Sequence, residues 1–316
     1  MTKTTLAKPD RKSRYLGFRR FVEILLLISA VFLLIKYSSV VTAGAISGIT
    51  LAVRSIIPAL FPFLILSDVF VYTLDGETGV FGRIFSKIFG ISPYGAIAFL
   101  CGCFSGFPVG VKCAADLYSQ GKIGKDDFER IIGFVNNPSP AFVIAAVGGM
   151  RGNTEEGVIL YISTLLAAVI VGILFSKRGK KTKICKLKYA KTHFSLASSI
   201  KNAAYTSVGI SAYIIFFSVL LSVIKAVFAS GEITIIASLF LEVGNAASLL
   251  ASSSFHYTVS LTLTAFALGF SGLSVLMQAK SLLPDGVSMR KYAVMKLLQG
   301  VFSVLTVLLI SRLLSL

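Results

Sequence analysis

Apolar runs recur along the whole chain, at 21–35, 51–72, 141–150, 158–175, 212–228, 257–270 and 292–310. Several reach the roughly 20 residues that a bilayer-crossing helix needs only when their semi-polar flanks are included. None alternates apolar with polar residues, as the strands of a membrane barrel do. With 55% hydrophobic and 14% charged residues, the chain has too little charge to cover the surface of a water-soluble domain. The sequence therefore predicts an all-α polytopic membrane protein.

Two apolar segments are interrupted where a helix should be strongest. The first is FSGFPVG, residues 104–110; the second is FSGLSVLMQAK, residues 270–280. Gly106 and Gly110 permit a turn with no Cβ penalty, and Pro108 removes a backbone donor. Inside lipid every backbone N–H and C=O must be paired, so a broken helix is tolerated only where it is buried in protein or lines a polar cavity. Broken segments in matching positions point to a substrate path between repeats. The plainer alternative is close helix packing through small residues.

Charge is placed unevenly on a chain of net charge +17. Seven Lys or Arg stand in residues 1–20 against Asp10, and eight stand in 176–191 with no acid. Such runs flanking apolar spans read as cytoplasmic retention signals rather than as a nucleic-acid surface. The expected organisation is a basic tail (1–20), a first transmembrane helix (21–42), a gate-type repeat (43–150), a linking helix (151–175), a basic cytoplasmic loop (176–195) and a second gate-type repeat (196–316). With tail and loop on one side, parity requires the 93–118 segment to enter and leave on one face. The two units are then inverted repeats, each with a glycine-broken re-entrant hairpin.

The path candidates are the polar and glycine residues at these breaks. Ser105, Gly106, Pro108 and Gly110 form the first gate; Ser271 and Gly272, with Gln278 beyond them, form the second. Asn136 and Asn137, in VNNPSPAF, interrupt the helix after the first hairpin. Glu242 and Asn245, in FLEVGNA, put a carboxylate and an amide inside an apolar run, which is costly and marks function by default unless the segment lies in the interface. Lys112 and Asp116, spaced i, i+4, read as a local ion pair. Cys101, Cys103, Cys113 and Cys185 offer no disulfide framework, and His193 and His256 lack metal-ligand spacing, so neither metal nor cofactor is expected.

SGFPVGVKCAADLYSQGKI with its downstream NN, together with IIPALFPFLILSDVF, FLEVGNA and FSGLSVLMQAKSLL, resembles the YlbJ-type sporulation integral membrane proteins, within the group that carries the nucleoside-recognition Gate domain. The resemblance spans residue 20 to the C-terminus. It implies a bacterial cytoplasmic-membrane protein serving endospore formation, with a fold distantly like the concentrative nucleoside transporters. Ser274 stands where the first gate has Pro108, so the halves are not equivalent.

Two function classes stay open. A small-molecule transporter or permease with gates meeting at mid-membrane would need a solvent-reachable path. A non-transporting scaffold, assembly factor or lipid-handling protein would depend on its surfaces instead. No enzyme is expected, since Ser105 and Ser271 have no evident base. The expected partners are the lipid bilayer and an unidentified small molecule, with no nucleic acid and with oligomerisation left open.

Overall fold

A computed structural model describes residues 11–73, 78–176 and 195–314. The first ten residues of the basic tail and nearly all of the 176–195 loop, Cys185 and His193 included, lie outside the described residues.

The described residues are helical and contain no strand. Helix α1 (Arg11–Lys36) and α2 (Ser38–Leu51) meet at Tyr37 with a bend of 89°. The first helix thus ends at Lys36 rather than at 42, because the apolar run stops at the polar stretch 36–39. A π-helical turn, Ala52–Ile56, leads into α3 (Ile57–Thr73). Pro58 and Pro62 have no N–H to give here, and widening the ladder to a π turn absorbs the first loss.

Helix α4 (Gly79–Phe89) ends at Gly90 in the left-handed region. The first broken segment is a hairpin of α5 (Gly95–Ser105) and α6 (Val109–Ser119), joined through a cis Phe107–Pro108 peptide. Helix α7 (Lys125–Val135) is followed by a break, a π-helical run Ala141–Val147 and the short α8 (Gly148–Met150). Then come α9 (Thr154–Leu174), α10 (Leu196–Phe228), α11 (Gly231–Leu241), α12 (Val243–Ala251), α13 (Tyr257–Phe270), α14 (Gly272–Ser281) and α15 (Met289–Leu313).

Helices α9, α10 and α15, and α13 with α14 taken together, are long and apolar enough to cross a bilayer; the bent α1–α2 pair would make a fifth span. The second broken segment departs from expectation. Helices α13 and α14 follow one another as a 25-residue span, and α14 lies against α10 and α11 instead of folding back on α13. Ser271 N–H still reaches the Ala267 carbonyl at 2.7 Å, and the helix restarts after two left-handed residues, Ser271 and Gly272. With no proline at this break, the ladder is interrupted without the chain being turned back.

Helix α15 shows how the molecule is solvated. Tyr292, Lys296, Gln299, Ser303 and Thr306 are buried, whereas Val294, Leu297, Val301, Leu305 and Leu308 are exposed. A polar seam inside and an apolar face outside reverses the order of a soluble helix and suits a lipid surround. Helix α15 packs between α9 and α13, so this seam runs through the centre of the bundle.

Candidate functional site

Glycine builds the first break by close approach. A Cβ at Gly102 would sit 1.7 Å from the Val135 carbonyl oxygen, and one at Gly110 would sit 2.3 Å from it. The last carbonyl of α7 is therefore seated in a notch between α5 and α6 that no side chain could share. Gly106, at φ +85°, makes the turn, and a Cβ there would meet the Ser139 backbone nitrogen at 2.8 Å. The hairpin tip thus rests against the break after α7. Ser105, Gly106, Pro108 and Gly110 are all buried. Beside the tip, the Cys103 carbonyl accepts from the Tyr161 hydroxyl at 2.7 Å.

The sequence NNPSP explains the next layer. In a continuous helix the Phe134 and Asn136 carbonyls would accept from residues 138 and 140, and both are prolines with no N–H. The freed Phe134 carbonyl accepts from Asn137 Nδ2 at 2.9 Å. The freed Asn136 carbonyl accepts from Lys296 Nζ at 2.8 Å, across 160 residues of sequence. Ser139 then starts the following helical run by accepting from Phe142 N–H at 3.2 Å.

Lys296 is the centre of this cluster. It also donates to Gln299 Oε1 at 2.8 Å, and Gln299 Nε2 donates to Asn137 Oδ1 at 2.8 Å and to the Thr164 carbonyl at 3.3 Å. Asn136 Nδ2 donates to the Tyr292 hydroxyl. Asn136, Asn137, Tyr292, Lys296 and Gln299 are each 0% exposed. Among the described residues no carboxylate pairs with Lys296, and the side-chain oxygens of Asn136 and Ser163 are buried without a hydrogen-bond partner. Thr164 is the middle residue of α9, so the cluster lies near the centre of a span. An amine buried without a counter-ion is expensive. Two neutral acceptors reduce that cost but supply no opposite charge.

The second break is satisfied locally. Gly272 approaches the junction of α11 and α12, where a Cβ would lie 3.1 Å from the Leu241 oxygen. Glu242 occupies that junction and caps α12. Its carboxylate accepts from Gly244 N–H at 2.9 Å, from Asn245 N–H at 2.6 Å and from Asn245 Nδ2 at 2.8 Å. An anion at a helix N-terminus faces unpaired donors and the positive end of the dipole. Ser271 Oγ donates to the Leu268 carbonyl at 3.2 Å, and Gln278 Nε2 donates to Ser274 Oγ at 3.1 Å.

The sequence candidates accordingly fall into three places. The first gate gathers with Asn136 and Asn137, and Ser271 and Gly272 gather with Glu242 and Asn245; Gln278 stands apart on α14. Phe107, at the hairpin tip, packs into the apolar cluster containing Val243, Leu268 and Val275, which brings the two breaks into one neighbourhood. Lys112 and Asp116 do form the i, i+4 pair, at 2.8 Å, and Asp68 joins them. Tyr292, Lys296, Gln299 and Gly102 are the residues the sequence reading misses. Their signal on α15 is a polar series at 292, 296, 299, 303 and 306, spaced four, three, four, three along an apolar helix.

The fold and this seam define a helical integral membrane protein with a buried polar centre. The chain is 26% identical to the sporulation integral membrane protein YlbJ of Bacillus subtilis (strain 168), over 84% of this chain and 76% of that protein. The YlbJ-type likeness expected from the gate and NN motifs is thereby supported; the wider Gate-domain grouping is not. No family model matches the sequence, and no solved structure matches it.

Proposed function

We propose that this protein carries a small organic anion across the membrane, and that Lys296, Asn136, Asn137 and Gln299 form its central site. The observation that carries the proposal is Lys296: fully buried near mid-span, joined to a proline-made break and, among the described residues, paired with no carboxylate. A buried structural lysine acquires an acid partner, as Lys112 does with Asp68 and Asp116. An amine left with neutral acceptors suits a ligand that brings the negative charge itself. The adjacent glycine-notched hairpin supplies a discrete element whose displacement would open the cluster. In this reading the basic tail and loop lie on the cytoplasmic side of a bacterial membrane, and the likeness to a sporulation protein supports a place in that programme.

The test is uptake into proteoliposomes of labelled mono- and dicarboxylates, with a neutral polyol as control. Uptake of an anion that Lys296→Met abolishes in a folded, reconstituted protein is the expected result. Unchanged uptake by that variant, or no anion uptake by the wild type, would overturn the reading.

A further inference from the structure

A second polar site lies away from Lys296, between α2, α10, α11 and α12. It is a cavity of about 180 Å³ whose wall includes Ser47, Ser218, Ser222, Lys225, Thr234 and Asn245. A hydroxyl-lined cavity is unusual beside lipid-facing residues, and its construction follows from the sequence. Gly44 and Gly48 on α2 meet Ser222 and Ser218 on α10; a Cβ at Gly44 would lie 2.7 Å from Ser222 Oγ, and one at Gly48 would lie 3.2 Å from Ser218 Oγ. Small residues on both helices let the backbones approach and leave the hydroxyls uncovered.

The hydrogen-bond inventory of the wall states what it would recognise. Ser222 and Thr234 spend their hydroxyl protons on the Ser218 and Ser230 carbonyls, at 2.9 and 2.8 Å, and so present lone pairs. Asn245 gives one Nδ2 proton to Glu242, and its carbonyl oxygen is an acceptor. Ser218 is 7% exposed, and among the described residues its hydroxyl has no hydrogen-bond partner. Lys225 supplies positive charge three residues before the end of α10, with Ser218 about 10 Å deeper along the helix axis. Glu242 caps α12 and is not part of the cavity wall. Charge thus stands at the shallow end, with hydroxyl donors and acceptors below it. On the outer side, Ile46 and Ile49 beside Ser47 are exposed.

We infer that this cavity binds a phosphorylated polyol, its phosphate against Lys225 and its hydroxyls against Ser218, Ser222, Thr234 and Asn245. The same chemistry is presented by a phosphoglycerol lipid headgroup and by free glycerol phosphate. The site does not rest on the transport reading.

The test uses the purified full-length protein, with Lys225→Gln and Ser218→Ala as conservative variants. Lys225 is exposed, and Ser218→Ala removes a single oxygen, so both are expected to fold. Melting points are compared in nanodiscs of phosphatidylglycerol against phosphatidylcholine, and in detergent with glycerol phosphate, inorganic phosphate or glycerol. Stabilisation by phosphatidylglycerol that both variants reduce supports the site with a lipid as its source. Stabilisation by glycerol phosphate alone, weakened about tenfold in Lys225→Gln, supports it with a free solute as its source. No stabilisation by either, an effect that both variants retain in full, or inorganic phosphate reproducing the whole effect would overturn it.

Discussion

The break after α7 and the junction of α11 with α12 both leave backbone groups unpaired and satisfy them with different chemistry. After α7, two prolines leave carbonyls without donors, and one of those carbonyls is satisfied by Lys296 from the far end of the chain. At the α11–α12 junction, Glu242 satisfies the donors two and three residues ahead of it, and nothing distant is recruited. A break completed locally is architecture. A break completed by a buried amine, with side-chain oxygens left over beside it, joins two parts of the fold through a charge and has a polar valence to spare.

Substitutions can break or sharpen this contrast. The largest expected effect is at the first break, where Gly102→Leu would drive a side chain into the Val135 carbonyl. We expect a loss of about 3 kcal/mol or more, seen as failure to recover monodisperse protein. A melting point within a degree or two of wild type would mean that the glycine notch is not what seats α7. Next is Glu242→Ala, which removes a cap and its charge-assisted hydrogen bonds and should cost about 2 kcal/mol in a thermal or denaturant melt. Glu242→Gln should recover part of that loss; an equal loss in both variants would argue that packing, not capping, holds the junction.

Smaller effects belong to the left-handed pair. Gly272→Ala, at φ +78° and close to Leu241, should cost about 1 kcal/mol. Ser271→Gly should change stability by only a few tenths of a kcal/mol, since φ +72° suits glycine better than serine. A larger cost for Ser271→Gly would assign weight to the Ser271 hydroxyl bond to Leu268 that its length does not suggest.

The sequence makes the helical class, the lipid-facing character and the positions of the breaks legible, because glycine, proline and asparagine inside apolar runs have strong local physical meaning. It also picks out the Lys112–Asp116 pair from spacing alone. Whether a break turns the chain back is not legible in the same way. FSGF and FSGL read alike, yet only the first carries the proline and the paired glycines Gly102 and Gly110 that fit around another helix's carbonyl. Glu242 reads as a functional carboxylate because its cost in an apolar run is visible, whereas the donors that offset it are backbone groups with no sequence signature. Lys296 is obscured by Arg290 and Lys291 just before it, which make the start of α15 look like a charged turn. Only the four-three spacing of its polar neighbours separates the buried lysine from the surface ones.

The most direct measurement for the central claim is the melting point of the purified protein in detergent across a panel of carboxylates, chloride and neutral polyols, for wild type and Lys296→Met side by side. An anion at about 100 times its dissociation constant should stabilise the wild type by roughly 2.7 kcal/mol. The account predicts a shift that selects carboxylates and disappears in a folded Lys296→Met. A wild type indifferent to every anion, or a Lys296→Met protein that responds as the wild type does, would contradict it and make the buried amine a structural pin.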